Sequence, residues 1–452
     1  MKMYETTQPV EKYLNVKLEC DCGRTHYAPI KAVNISKGAI NALPEYMERF
    51  GYKRPYILCD AITYKIAGEK CESVLRAAGF APDVLIIQHL GFDEATLGEI
   101  VINKPDDCDV MIGVGTGSIT DMLRYSSFKL GLPCFTVATG APMDGFSASV
   151  GIMNVNSLKA TMPAHSTEVI IGDTDVLSGA PYRMNVAGFA DLIGKLNAIN
   201  DWHLGVLING DHYCRSIDTL VMDYVYDILG KAELIKNHDA KAIGELMNAL
   251  LLTGASISLY GSSRPISGAE HHFSHYLEVL GDQRGKPYAM HGEQVAVGTV
   301  LALTVAAKLA AITPDFDAAR KAAAQYDAAA WESEIRRAYG DAAGAIIELE
   351  AQSGKNETAG RLKRIDIMQQ HWDEVRAMLA GVYPAEKLRA LLKDIGCPCE
   401  PRDIGVTKDI LRDALLYCKE TRARYTVYQL AWDLGLLAKL ADEVCAEAEC
   451  AE

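Results

Sequence analysis

The chain has 452 residues, 49% of them hydrophobic, and a net charge of −14. That length supports two or three domains around a large core. The charge excludes nucleic acid or an anionic membrane surface as the main partner, but not a small anion held in a local positive pocket. Twelve cysteines are scattered, and residues 1–14 lack the apolar stretch of a secretory leader. Reduced thiols in the cytoplasm are therefore expected. Cys20-Asp-Cys22 and Cys397-Pro-Cys399 lack the spacing of common zinc motifs. The longest apolar run, 295–307, is too short for a membrane span and reads as a core helix.

In chain order, the segment up to residue 36 reads as an edge strand or hairpin, and 38–50 as a helix. A βα rhythm follows. Strands are predicted at 56–59, 84–87, 110–113 and 134–137, with helices at 61–78, 94–103 and 119–129 between them. Further strands fall at 152–155 and 169–171. Strands alternating with helices imply a parallel sheet covered on both faces. After residue 178 the pattern becomes helical: 185–207, 217–231, 241–258, 268–280, 294–311, much of 315–350, 361–380, 385–395 and 408–446. The acidic tail 443–452 reads as frayed. The fold class is α/β: a Rossmann-like dinucleotide-binding domain at 1–178, then an all-α metal- and substrate-binding domain at 179–452.

Four of the eleven histidines crowd into residues 268–298: His271, His272, His275 and His291. His271 and His275, four apart, share one helix face, and His291 opens a second segment, His-Gly-Glu-Gln, followed by a long apolar helix. Two such imidazoles suit a divalent metal with an open position, while satisfied core histidines are the plainer alternative. Asp191 sits in an apolar helical segment, where a lone carboxylate is costly to bury, and a metal shared with His271 and His291 would satisfy it.

Gly113-Val-Gly115-Thr116-Gly117-Ser118-Ile119 follows a strand and opens a helix, the place for a dinucleotide pyrophosphate. Asp60 ends a strand and either bonds a ribose or caps a helix. Thr136, Thr139 and Asp144 stand at or after the fourth strand, where Asp144 is either a turn residue or a substrate contact. Arg264, in the turn 262–265, either forks onto a phosphate or caps the preceding helix.

Three stretches carry a resemblance: Ala141-Pro-Met-Asp-Gly-Phe146, Gly261-Ser-Ser-Arg-Pro-Ile-Ser-Gly-Ala-Glu-His271 and His291-Gly-Glu-Gln294. With the N-terminal Cys-Asp-Cys-Gly-Arg-Thr-His, they are similar to the iron-containing alcohol dehydrogenase and dehydroquinate synthase-like superfamily. Within it they resemble the bacterial sn-glycerol-1-phosphate dehydrogenases. The resemblance covers residues 15–310 and fits the C-terminal third only loosely. It implies Asp191, His271 and His291 as metal ligands for zinc, nickel or iron. It implies NAD(H) or NADP(H) on Gly115 to Ile119, Thr136 and Thr139, with Asp60 on the ribose. Asp144, His275 and Asp191 would meet a small phosphorylated substrate, dihydroxyacetone phosphate, in a cytoplasmic homo-oligomer. Two departures stand out. The loop lacks three consecutive glycines, and Ala148 replaces an expected serine, leaving Ser147 or Ser149 for that contact. Rival readings are a glycerol or simple alcohol dehydrogenase, a dehydroquinate synthase and a silent nucleotide-binding sensor.

Overall fold

The structure, a computed structural model, describes residues 10–88, 91, 93–155 and 158–452. By contacts the chain forms two units, Met1–Leu192 with Thr219–Ser263, and Ile193–Asp218 with Arg264–Glu452.

The first unit begins with a short antiparallel hairpin, β1 (Leu18–Glu19) and β2 (Thr25–His26). Its main sheet comprises β3 (Ala32–Ser36), β4 (Pro55–Asp60), β5 (Asp83–Ile87), β6 (Val110–Gly115), β7 (Cys134–Ala138) and β10 (Val169–Asp173). All its pairings are parallel, in the order β3-β10-β7-β6-β4-β5. From β4 the chain goes outward to β5, then returns to the other side of β4 as β6. The C-terminal ends of β4 and β6 therefore flank the point where strand order reverses, the usual ligand crevice of such sheets.

The alternation of side chains explains the burial on both faces. Ile57, Ile112, Val137 and Ile171 pack with Leu43, Met47 and Leu75 on one face. Tyr56, Leu58 and Met111 pack with Ile100, Met122 and Leu123 on the other. The segment expected as a strand at 152–155 is not in this sheet. It is β8 (Val150–Val155), paired antiparallel with β9 (Leu158–Pro163) in a separate hairpin. The first unit also holds helices α1 (Gly117–Leu130) and α2 (Tyr182–Ile193).

In the second unit, α3 (Lys195–Asn209) follows α2 after Gly194, so the single helix expected at 185–207 is two. Helix α4 (Arg215–Leu229) begins here, and residues from Thr219 on belong to the first unit together with α5 (Ala240–Tyr260). The second unit resumes with α6 (Ala269–Gln283) and α7 (His291–Ala310). Leu204 and Ile208 of α3, Phe273 and Leu277 of α6, and Val297 and Leu301 of α7 share one core with the C-terminal helices. Both α5 and α7 are long and apolar enough to cross a membrane, a length the apolar run at 295–307 understated. In each, 78% of the apolar window is buried, which makes them core helices. The tail expected to fray is tied down: the N–H of Ala451 donates to Val406 and that of Arg402 to Glu449.

Candidate active site

Gly115 closes β6, and α1 starts two residues later. A Cβ at Gly115 would lie 2.6 Å from Ile119, so this glycine lets strand and helix pack closely. Thr116 provides no side-chain cap, which leaves the first amides of a 14-residue helix available to an anion. Thr116, Gly117 and Ser118 are half-buried and Ile119 is buried. Across the switch point, Asp60 caps its helix, one carboxylate oxygen accepting from the amides of Ile62 (2.8 Å) and Thr63 (2.7 Å). Thr136 is fully buried with its hydroxyl 3.2 Å from that of Thr167, and the Thr139 amide donates to Gly115. Ser147 donates to the Leu251 carbonyl at 2.7 Å.

Asp191 is fully buried on α2. One turn earlier, a Cβ at Gly188 would lie 1.8 Å from the Ala141 carbonyl oxygen, so only glycine lets α2 approach the 141–144 loop this closely. The consequence is a bond from the Asp144 amide to a carboxylate oxygen of Asp191, 2.9 Å long.

In the second unit, α6 carries His271, His272, His275 and Glu278, and His291 is the first residue of α7. The rings of His271 and His291 have centroids 5.3 Å apart, and the His275 ring lies 6.3 and 6.1 Å from them. The imidazoles of His271, His275 and His291 are each oriented by a carboxylate. His271 Nδ1 donates to Glu270 at 2.7 Å, while His291 Nδ1 at 2.9 Å and His275 Nδ1 at 3.2 Å share the two oxygens of Glu278. A carboxylate only accepts, so each Nδ1 carries the proton and each Nε2 keeps its lone pair for a ligand. His271 and His291, both in the second unit, each offer one ligand atom, and the two lie within 4.8 Å of one another. Two imidazoles so placed fit zinc, iron or nickel. His275 is not in that group.

Glu270 and Glu278 escaped the sequence reading. A Glu beside or three residues beyond a histidine is common on helices, and nothing marks it as an orienting partner. Burial pushes the Glu270 carboxyl up, but the His271 bond, the Gly268 amide and Asn197 outweigh it and hold the carboxyl below its ordinary range. Burial lowers the His275 imidazole to about 4 against the opposing pull of Glu278, so it is neutral at pH 7. Arg264 is turned inward, only 5% exposed. Its guanidinium donates to the carbonyls of Tyr425 and Asp201 (both 2.9 Å) and pairs with Asp211 (3.1 Å). Those contacts tie it to residues of its own unit.

The iron-containing alcohol dehydrogenase family profile matches residues 34–181. The glycerol-1-phosphate dehydrogenase [NAD(P)+] of Bacillus subtilis strain 168 is 32% identical over 289 residues, covering 62% of this chain and 73% of that protein. That of Bacillus licheniformis is 26% identical over 428 residues, covering 93% and 94%. Among solved structures, a probable glycerol dehydrogenase from Sinorhizobium meliloti 1021 superposes with a TM-score of 0.59 at 14% identity, covering 92% of this chain and 98% of that one, which shows a shared fold. With a parallel sheet ending in a capless glycine turn and a helical unit bearing paired histidines, the chain belongs to the glycerol-1-phosphate dehydrogenase family of the iron-containing alcohol dehydrogenases.

Proposed function

We propose that this chain reversibly reduces dihydroxyacetone phosphate to sn-glycerol 1-phosphate with NADH or NADPH. The observation that carries the reading is the pairing of His271 and His291, each ring oriented by a carboxylate, in a chain whose relatives bear that activity in their names. When bound, a divalent metal supplies Lewis acidity toward the substrate oxygen and the nicotinamide supplies the hydride. Zinc, nickel and iron all suit the donor set.

The chain's own residues do the rest. Asp191, His271 and His291 hold the metal, and Glu270 and Glu278 fix the two rings in their ligating tautomer. The amides of residues 117–119 take the cofactor's pyrophosphate. Ile119, Thr136 and Thr139 shape that site, and the Asp60 carboxylate receives a ribose hydroxyl beside its cap. Asp144 meets the substrate next to Asp191, the two joined by the Asp144 amide. In alcohol oxidation the neutral His275 accepts the hydroxyl proton at Nε2, while Glu278 holds Nδ1–H.

The division of labour follows the chain, with residues 1–178 for the dinucleotide and 179–452 for metal and substrate. The same reading carries a cytoplasmic location and a homo-oligomer, the latter tested by light scattering on the purified protein. The activity is tested by following NADH absorbance with dihydroxyacetone phosphate and with unphosphorylated dihydroxyacetone, then assigning the product's stereochemistry. A product of sn-glycerol 3-phosphate, or equal turnover of both ketones, would overturn it.

A further inference from the structure

The N-terminal motif Cys20-Asp-Cys22-Gly23-Arg-Thr-His26 takes no part in the site above. It forms the turn of the β1–β2 hairpin, whose strands have two residues each, far too few to hold together alone. Gly23 has φ +84, and its amide bonds back to the Cys20 carbonyl at 3.1 Å. That left-handed step folds the chain tightly between Cys22 and His26. His26 is buried, and its Nδ1 lies 2.6 Å from the Leu259 carbonyl oxygen. A carbonyl only accepts, so Nδ1 carries the proton and Nε2 is left as the ligating atom, 3.3 Å from the Cys22 sulfur. Cys20, Cys22 and His26, all in the first unit, each offer one atom, and these atoms lie within 4.8 Å of one another. Neither Cys20 nor Cys22 is in a disulfide.

We propose that Cys20, Cys22 and His26 bind a structural zinc ion. Two thiolates and one imidazole supply three of the four positions of a tetrahedral zinc ion, which would clamp the two short strands of the hairpin. The imidazole is already oriented by a carbonyl, as ligating histidines usually are. Each cysteine binds as the thiolate, so loading releases a proton from every thiol that was protonated. The sequence hides this site because the C-x-C spacing is not that of common zinc motifs and His26 follows only four residues later.

Cobalt(II) tests it, because sulfur-to-cobalt charge transfer reports thiolate ligands and nothing at a site built from Asp191, His271 and His291 contributes to it. The full-length protein, stripped and reloaded with cobalt(II), is expected to show that band and the intense visible absorption of a tetrahedral centre. Cys22→Ser should lose the band together with one equivalent of bound metal, and His271→Ala should keep it. A reloaded wild-type protein with no thiolate band overturns the proposal by itself, whether or not Cys22→Ser folds. A band that persists unchanged in Cys22→Ser overturns it equally.

Discussion

At the residue scale, the side chains that define the site differ in how plainly the sequence exposes them. His271 and His291 are legible because two histidine-bearing segments around a helix break are rare, and Asp191 because an acid among Phe189, Leu192 and Ile193 has nowhere exposed to point. Glu278 is not legible, since an acid one turn after a histidine usually faces water; here its two oxygens hold His275 and His291. Glu278→Gln should weaken metal binding about 10- to 100-fold while leaving the fold intact, as read by a competitive metal titration. Unchanged affinity would show that Glu278 does not orient the ligand. Arg264 teaches the opposite lesson. Its place beside the metal helix points to a phosphate, yet its donors end on Tyr425, Asp201 and Asp211. Arg264→Ala should therefore cost on the order of 2–3 kcal/mol of stability in melting experiments. It should lower kcat/KM for phosphorylated and unphosphorylated ketone by similar factors; a loss confined to the phosphorylated one would return Arg264 to substrate recognition. Asp60 shows both of its readings side by side, since the cap uses one oxygen and leaves the ribose contact to be tested.

At the element scale, hydrophobic periodicity found nearly every helix and the strands of the main sheet, because their burial patterns are strong. It missed what depends on contact rather than period. The β8–β9 hairpin was read as one strand because the second strand's Lys159 and Thr161 dilute the signal. The break after α2 falls at Gly194, one glycine in an otherwise continuous apolar run. The start of α7 at His291 was placed three residues late, because its Gly and Glu look like loop, although Glu293 caps the helix by accepting from the Met290 amide. The approach of α2 to the 141–144 loop was equally invisible, since a glycine's missing Cβ leaves no periodic trace. Gly188→Ala forces a methyl group into the Ala141 carbonyl and must push the helix away. It should destabilise the protein by about 1–3 kcal/mol and reduce activity more than melting predicts, because the Asp144 amide loses its grip on Asp191. A variant with wild-type kinetics would show that this approach does not set the site.

At the scale of the whole molecule, the α/β half followed from the βα rhythm and the helical half from its lack of strand signal. The C-terminal third was the least legible part, because its helices are short, alanine-rich and charged, and are fixed by a buried ionic cluster no pattern announces. Glu420 bonds Lys419 and lies 2.9 Å from Lys355, with Asn356 donating to both its oxygens. The turn carrying Glu420 packs against α6, so this cluster supports the helix that carries His271. Burial alone would raise the Glu420 carboxyl, but the two lysines outweigh it and hold it at about 2, against an ordinary 4.5. A lowered carboxylate stabilises the fold above its ordinary range and loses that contribution as pH falls toward the folded value. The melting temperature should accordingly drop between about pH 5 and 2. Glu420→Gln should lose on the order of 3–5 kcal/mol at neutral pH, since two buried lysines would be left uncompensated, and should show a flatter acid limb. An acid limb as steep as that of wild type would assign the titration elsewhere.

The central claim is that one metal held by Asp191, His271 and His291 lets this chain exchange a hydride between a nicotinamide and a phosphorylated three-carbon ketone. The most direct test is the rate of NADH oxidation with dihydroxyacetone phosphate, measured on one preparation before stripping, after complete metal removal and after reloading with zinc, nickel or iron(II). Activity should vanish on stripping and return with at least one of the three ions, and His271→Ala should stay inactive throughout. Full activity in the stripped protein, or no oxidation with any ion restored, would contradict the account.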